Sequence, residues 1–334
     1  MQRNNIDQIQ WLRGIAALSV VFTHLTAKAY SVGMTDFSFT KGSIGVDIFF
    51  IISGFIMMYV CDRKEYKFLA FLENRDVRIL PLHYLLLLPL VIVYIIKPVL
   101  INSSSSGTFV WESFFLIPVS EDGYEYLNPV VWTLCYEFLF YLIFASFLFL
   151  KNIYLVSMGT IFSIAVIVIL GGWYRGSNPF VVGVTDSISL EFCYGIILYL
   201  LYKHNKLSCS SVLFFIFSVV AYFALAKFQL PRFIKDGIPS LLFFISIVNI
   251  RNLELKWLAF LGDISYEIYL CHIVVLSGIY VVLSKMNLNI LWMYYTISLL
   301  TIILVGYLMK SMISDRVSLK FKSVTKARRQ SNPI

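Results

Sequence analysis

Arg13 and His24 share the first apolar run of the chain, separated by ten residues. On a helix that spacing is close to three turns and about 16 Å, so both side chains fall on one stripe. A guanidinium can hold an anion there. An imidazole can take a proton from a hydroxyl, or carry a transferred group itself as a nucleophile. The plainer alternatives are an arginine snorkelling to headgroups and a histidine bonded to a neighbouring helix. Arg75 and Arg78 are three apart, which sets both guanidinium groups on one helical face. Two planar forks suit a phosphate-rich ligand, and anchoring at a membrane surface is the competing role. Carboxylates recur in equally apolar surroundings: Asp47 in Gly45-Val46-Asp47, Glu137 five residues after Trp132, Glu191, and Asp263 and Glu267 ahead of His272. Asp47 can orient a histidine or simply cap its helix. His83 and His204 look less central. No His, Cys or carboxylate spacing has a metal-ligand pattern, and there is no P-loop or nucleophile elbow.

These charges are costly because of what surrounds them. Of 334 residues, 59% are hydrophobic and 14% charged, with a mean hydropathy of +0.80. Soluble domains run near 45–50% apolar and about 25% charged. The balance excludes an ordinary soluble enzyme, a disordered chain and a nucleic-acid-binding domain. It predicts an all-α, polytopic membrane bundle of about ten helices, near 10–28, 44–61, 78–97, 129–150, 153–171, 186–202, 210–227, 236–250, 260–283 and 290–312. The stretch Phe109–Pro118 is too short to span and reads as interfacial or re-entrant. Most Lys and Arg fall on the side of the termini, which places both termini in the cytoplasm and accounts for the net charge of +8. The first segment lacks a cleavage pattern and is expected to stay in the mature protein. We read residues 1–313 as one transmembrane domain and 314–334 as a basic cytoplasmic tail resting on an anionic leaflet. The five cysteines fall singly and read as buried small hydrophobes.

Five stretches, in order, resemble the acyltransferase 3 family of integral membrane proteins. They are Asp7 through Trp11-Leu12-Arg13-Gly14 to His24; Gly45-Val46-Asp47-Ile48-Phe49-Phe50-Ile51-Ile52-Ser53-Gly54-Phe55; Arg75-x-x-Arg78 with Ile79-Leu80-Pro81 and Tyr84; Trp132-Thr133-Leu134 with Glu137; and Gly262-Asp263-Ile264-Ser265-Tyr266 to Tyr269-Leu270 and His272. The opening departs slightly from the family's usual Leu-Asp-Gly-Leu-Arg-Gly, but Asp7, Arg13, Gly14 and His24 keep their places.

The resemblance implies an O-acyltransferase in the stand-alone form, without an added soluble domain, in a bacterial inner membrane. Its donor would be cytoplasmic acetyl-CoA, with no metal. Its acceptor would be a carbohydrate or lipid-linked carbohydrate: O-antigen, exopolysaccharide, capsule or a precursor. On that basis His24, Asp47 and Glu137 are expected to be catalytic, with His24 as base or acyl carrier and Asp47 or Glu137 orienting it. Arg13, Arg75 and Arg78 are expected to hold the donor. Trp132, Tyr136, Ser265 and Tyr266 are expected to contact substrate. Composition alone, apart from the resemblance, suggests that Trp111, Tyr124, Tyr126 and Trp132 of the outer acidic loop form an aromatic lip that stacks on sugar faces. Membrane lipid is a partner, nucleic acid is not, and the oligomeric state stays open. The alternative is an exporter of a sugar or lipid-linked sugar. Polar intramembrane groups also mark transport paths, but no internal repeat supports that reading.

Overall fold

Where no water can satisfy backbone N–H and C=O groups, an apolar run must satisfy them internally, and the helix does so within one segment. In the computed structural model, which describes residues 4–101, 106–251, 253–321 and 323, every predicted apolar run is helical. The elements are α1 (Asn4–Ser31), α2 (Ile44–Cys61), α3 (Phe68–Ile96), β1 (Gly107–Phe109), α4 (Val110–Phe115), β2 (Tyr124–Tyr126), α5 (Val131–Ser146), α6 (Ile153–Trp173), α7 (Pro179–Val184), α8 (Leu190–Lys203), α9 (Ser211–Leu225), α10 (Arg232–Lys235), α11 (Gly237–Val248), α12 (Lys256–Asp263), α13 (Ser265–Lys285) and α14 (Leu291–Met309). The last helix runs on through a π turn to Phe321. Seven helices among the described residues are long and apolar enough to cross a membrane. Of the other predicted spans, α1 is long enough but carries Asp7, Arg13, His24 and Lys28, while α9 and α11 have 15 and 12 residues.

Two predicted spans are broken, each for a local reason. The run near 186–202 starts with a separate turn, because the Asp186 side chain accepts from Ile188 N at 2.9 Å and caps a short 3-10 segment ahead of α8. The run near 260–283 divides at Ile264 into α12 and α13, with Ser265 Oγ bonded to Gly262 O at 2.7 Å. Phe109–Pro118 does not span. It forms β1 and α4, which fold back against α3 through His83 Nε2 to Ser113 O (3.0 Å) and Tyr84 OH to Phe114 O (3.2 Å). His83 is therefore a bracket for this segment. His204 bonds Tyr154 OH at 3.1 Å.

Close backbone contact organises the centre. A Cβ added at Gly54 would overlap the Phe192 carbonyl, and one at Gly195 would overlap the Ile51 carbonyl, so α2 and α8 cross backbone to backbone. The larger buried cluster surrounds α2, including Phe50, Phe55, Phe140, Phe144 and Phe192, and a second joins α1, α13 and α14. Phe162, Phe223 and Leu300 face outward, as a lipid-facing surface requires. All five cysteines are free, and Cys135, Cys193 and Cys271 are buried.

Candidate active site

A cavity of about 260 Å³ lies among α1, α2, α3, α5 and α13. Arg13 and Arg78 stand in its wall with Gln10, and Phe49, Thr133 and Tyr269 line it farther along their helices. Arg13 Nη1 bonds Gln10 Oε1 at 3.1 Å, one turn back on α1. Arg75, one turn before Arg78 on α3, lies with its guanidinium carbon 5.8 Å from the Phe71 ring centroid. Its Nε is buried without a partner. Among the described residues none of these three arginines forms an ion pair. Unpaired guanidinium groups in apolar surroundings are expensive unless an anion completes them.

Glu137 faces the same cavity from α5. It accepts from Ser53 Oγ at 2.6 Å and from the Tyr141 hydroxyl. Ser265 and Tyr266 also line the wall, and Tyr266 OH is committed to Ile79 O at 2.8 Å. Tyr269 closes the far part: its ring meets Phe49 edge-on at 5.7 Å and its hydroxyl lies 2.9 Å from Thr133 Oγ1. Behind this layer, the His272 ring centroid is 5.8 Å from that of Tyr269 and 5.1 Å from that of His24. His24 thus sits beyond the cavity's aromatic end.

Asp47 is elsewhere. Its carboxylate is fully buried and held by Arg232 from α10, with Nε to Oδ1 at 3.0 Å and Nη2 to Oδ2 at 2.9 Å. Neither it nor Glu137 bonds the His24 ring among the described residues, so the expected orienting contact is absent from the structure. The Arg232 guanidinium stacks 5.6 Å from the Trp132 centroid, and Trp132 meets Tyr136 edge-on at 5.9 Å. Trp132, Tyr136 and Asp47 therefore form a second polar centre. Phe50, which lines the cavity and touches both Trp132 and Tyr136 at 6.4 Å, separates it from the first. The expected aromatic lip is only partly exposed. Trp111 and Tyr124 are, but Tyr126 is buried with its hydroxyl on Ile117 O at 2.9 Å.

The acyltransferase domain pattern matches residues 6–310, nearly the whole chain. The chain belongs to the acyltransferase 3 family. It is 31% identical over 266 residues to the exopolysaccharide production protein ExoZ of Rhizobium meliloti, covering 73% of this chain and 79% of that one. It is 29% identical over 301 residues to a candidate acetyltransferase, ORF330, of Acidianus two-tailed virus, covering 82% and 84%. No solved structure matches it. This acyltransferase-family protein is an all-α, multi-pass membrane protein, and its catalytic chemistry is acyl transfer.

Sequence reasoning missed Arg232, Ser53 and Tyr141 as site-building groups. Arg232 had no local signal, because its partner lies 185 residues away. Ser53 stands in the second family stretch, and its bond to Glu137 spans 84 residues.

Proposed function

We propose that this chain is an O-acetyltransferase that takes acetyl from acetyl-CoA at the cytoplasmic face and places it on a hydroxyl of a cell-surface carbohydrate. The observation that carries this reading is the pair of guanidinium groups without an ion-pair partner, Arg13 and Arg78, in the wall of a cavity that Tyr269 also lines, with Arg75 one turn before Arg78. The residues fit the donor. Its phosphates supply the missing anion, and its thioester arm is thin enough for a cavity of about 260 Å³. The carbohydrate acceptor is supported by the name of the Rhizobium relative.

In the step itself the sugar hydroxyl oxygen attacks the thioester carbonyl while His24 takes its proton. The C–S bond breaks, and the CoA sulfur leaves and recovers that proton. Glu137 accepts from Ser53 and Tyr141 and so fixes both side chains on the cavity wall. Both termini lie in the cytoplasm of a bacterial inner membrane, with about ten crossings. The basic tail expected over 314–334 lies largely outside the described residues.

The test is labelled acetyl transfer by the purified protein in vesicles, with acetyl-CoA on the terminal side and de-O-acetylated bacterial exopolysaccharide on the other. Label in the polysaccharide, lost in His24→Ala while insertion and expression persist, is the expected result. Undiminished transfer by that variant removes His24 from the reaction.

A further inference from the structure

Among the described residues no carboxylate bonds the His24 ring. Asp47 is bonded to Arg232, and Glu137 to Ser53 and Tyr141. Lys28, one turn farther along α1, lies 5.2 Å from the Tyr280 ring centroid. What does face His24 is His272 on α13, with ring centroids 5.1 Å apart and planes tilted by 47°. A ring nitrogen lies a little over 1 Å from its centroid, so at this separation two nitrogens turned toward each other come to hydrogen-bond range.

The protonation of His272 follows from its other contact. Its Nδ1 is 2.6 Å from the Tyr269 carbonyl oxygen, and a carbonyl can only accept. Nδ1 therefore carries the hydrogen. In the neutral ring, Nε2 is then a bare acceptor, and this atom is buried without a partner in a side chain of 0% exposure. A buried acceptor left open is costly, and the donor that can satisfy it is an N–H of the His24 ring.

We infer that His272 is a positioning residue for His24: its open Nε2 takes an N–H of His24, fixing the tautomer so that the other His24 nitrogen is the free base. The chain of contacts runs Tyr269 carbonyl, His272 Nδ1–H, His272 Nε2, His24 N–H. It does with a neutral imidazole what a carboxylate does in a Ser-His-Asp arrangement. Tyr269 also lines the donor cavity, so the same residue that closes the cavity anchors the histidine pair. The inference rests on the proposed role of His24, but its geometry is testable apart from it.

Two conservative variants separate positioning from packing. In His272→Gln the side-chain oxygen reaches the Nε2 position and can accept from His24. In His272→Asn the amide sits at the Nδ1 position, keeps the bond to the Tyr269 carbonyl and loses the acceptor. Rates are read in vesicles with labelled acetyl-CoA and de-O-acetylated exopolysaccharide. Positioning predicts that Gln stays within about threefold of the parent kcat. Asn falls roughly 10- to 100-fold, by analogy with loss of the group that orients a metal-ligating histidine, with KM for acetyl-CoA unchanged in both. Equal losses, no loss in either, or a better Asn variant would overturn it.

The second measurement needs no activity: nitrogen NMR of histidine-labelled protein in bilayers. The expected spectrum shows His272 with a protonated Nδ1 and an unprotonated Nε2, whose signal moves in His24→Ala. An Nε2 signal indifferent to His24, or a protonated Nε2, overturns the pairing. A shifted signal beside absent acetyl transfer keeps the pairing and sinks the transferase reading instead.

Discussion

Arg232 and Arg78 are the same side chain in two opposite situations. Arg232 clasps Asp47 with two parallel bonds, adds Ser43 O at 3.3 Å and stacks on Trp132. Arg78 lines a cavity and, like Arg13 and Arg75, makes no ion pair among the described residues. The first centre is paired within the chain: the fully buried Asp47 has Arg232 as its counter-ion. The second sets Arg13 and Arg78 around a cavity with no direct ion pair made among the described residues, although Glu137 shares the wall. A membrane protein bears the cost of an arginine without an ion pair where something outside the chain supplies the counter-charge, and avoids it where the group only holds helices together.

The contrast breaks first at the paired centre. Arg232→Ala leaves the buried Asp47 carboxylate without a partner, and loss of one member of such a pair costs roughly 3–5 kcal/mol. A fall in unfolding stability of that size in detergent is expected, and an unchanged melting point would dissolve the distinction. Arg78→Ala acts the other way. It removes a charged hydrogen-bond donor worth about 1.5–3 kcal/mol to a bound anion. The expected outcome is a roughly 10- to 100-fold higher KM for acetyl-CoA, with the melting point held. A destabilised protein with unchanged KM would return Arg78 to a structural role. The smallest effect belongs to Asp62, just beyond α2. Burial pushes its carboxyl up, but hydrogen bonds from Lys203 and Tyr199 outweigh that and leave it below the usual range. Lys203 Nζ is 2.7 Å from Oδ1 and Tyr199 OH 2.5 Å from Oδ2. A depressed folded-state pKa contributes stability that is full above the unfolded value near 3.9 and lost as pH falls through the folded one. Because the pair is partly exposed, screening limits it to less than about 1 kcal/mol. Acid titration of Asp62→Asn should lack that step. An identical acid transition would show that the pair contributes nothing.

The helices were legible in the sequence because membrane burial makes hydropathy nearly sufficient, and each apolar run became a helix. Interruptions were less so. The break at Asp186 depends on one side chain capping its own backbone, and the division at Ile264 falls in the polar interruption Gly262-Asp263-Ile264-Ser265, which hydropathy averaged over a whole span passes across. The site was legible as types and not as partners. Arg13, Arg78, Glu137, Ser265 and Tyr266 do meet around one cavity. Yet Asp47 pairs across 185 residues and Glu137 across 84, distances at which sequence carries no trace of contact. Tyr126 shows the same limit, since composition suggested a lip residue and packing buried it.

The crossing of Gly54 and Gly195 also sets a clock. Helices that meet through side chains can slide as those side chains change rotamer, but α2 and α8 have none between them at this point. Ile52, Ser53 and Ile56 of the cavity wall flank that fixed seam. Rocking of one half of the bundle against the other, on the microsecond-to-millisecond scale, would have to tear it open. On the proposed function, passage from the cavity toward His24 falls to the Phe49 and Tyr269 rings, whose motions are those of single side chains and far faster.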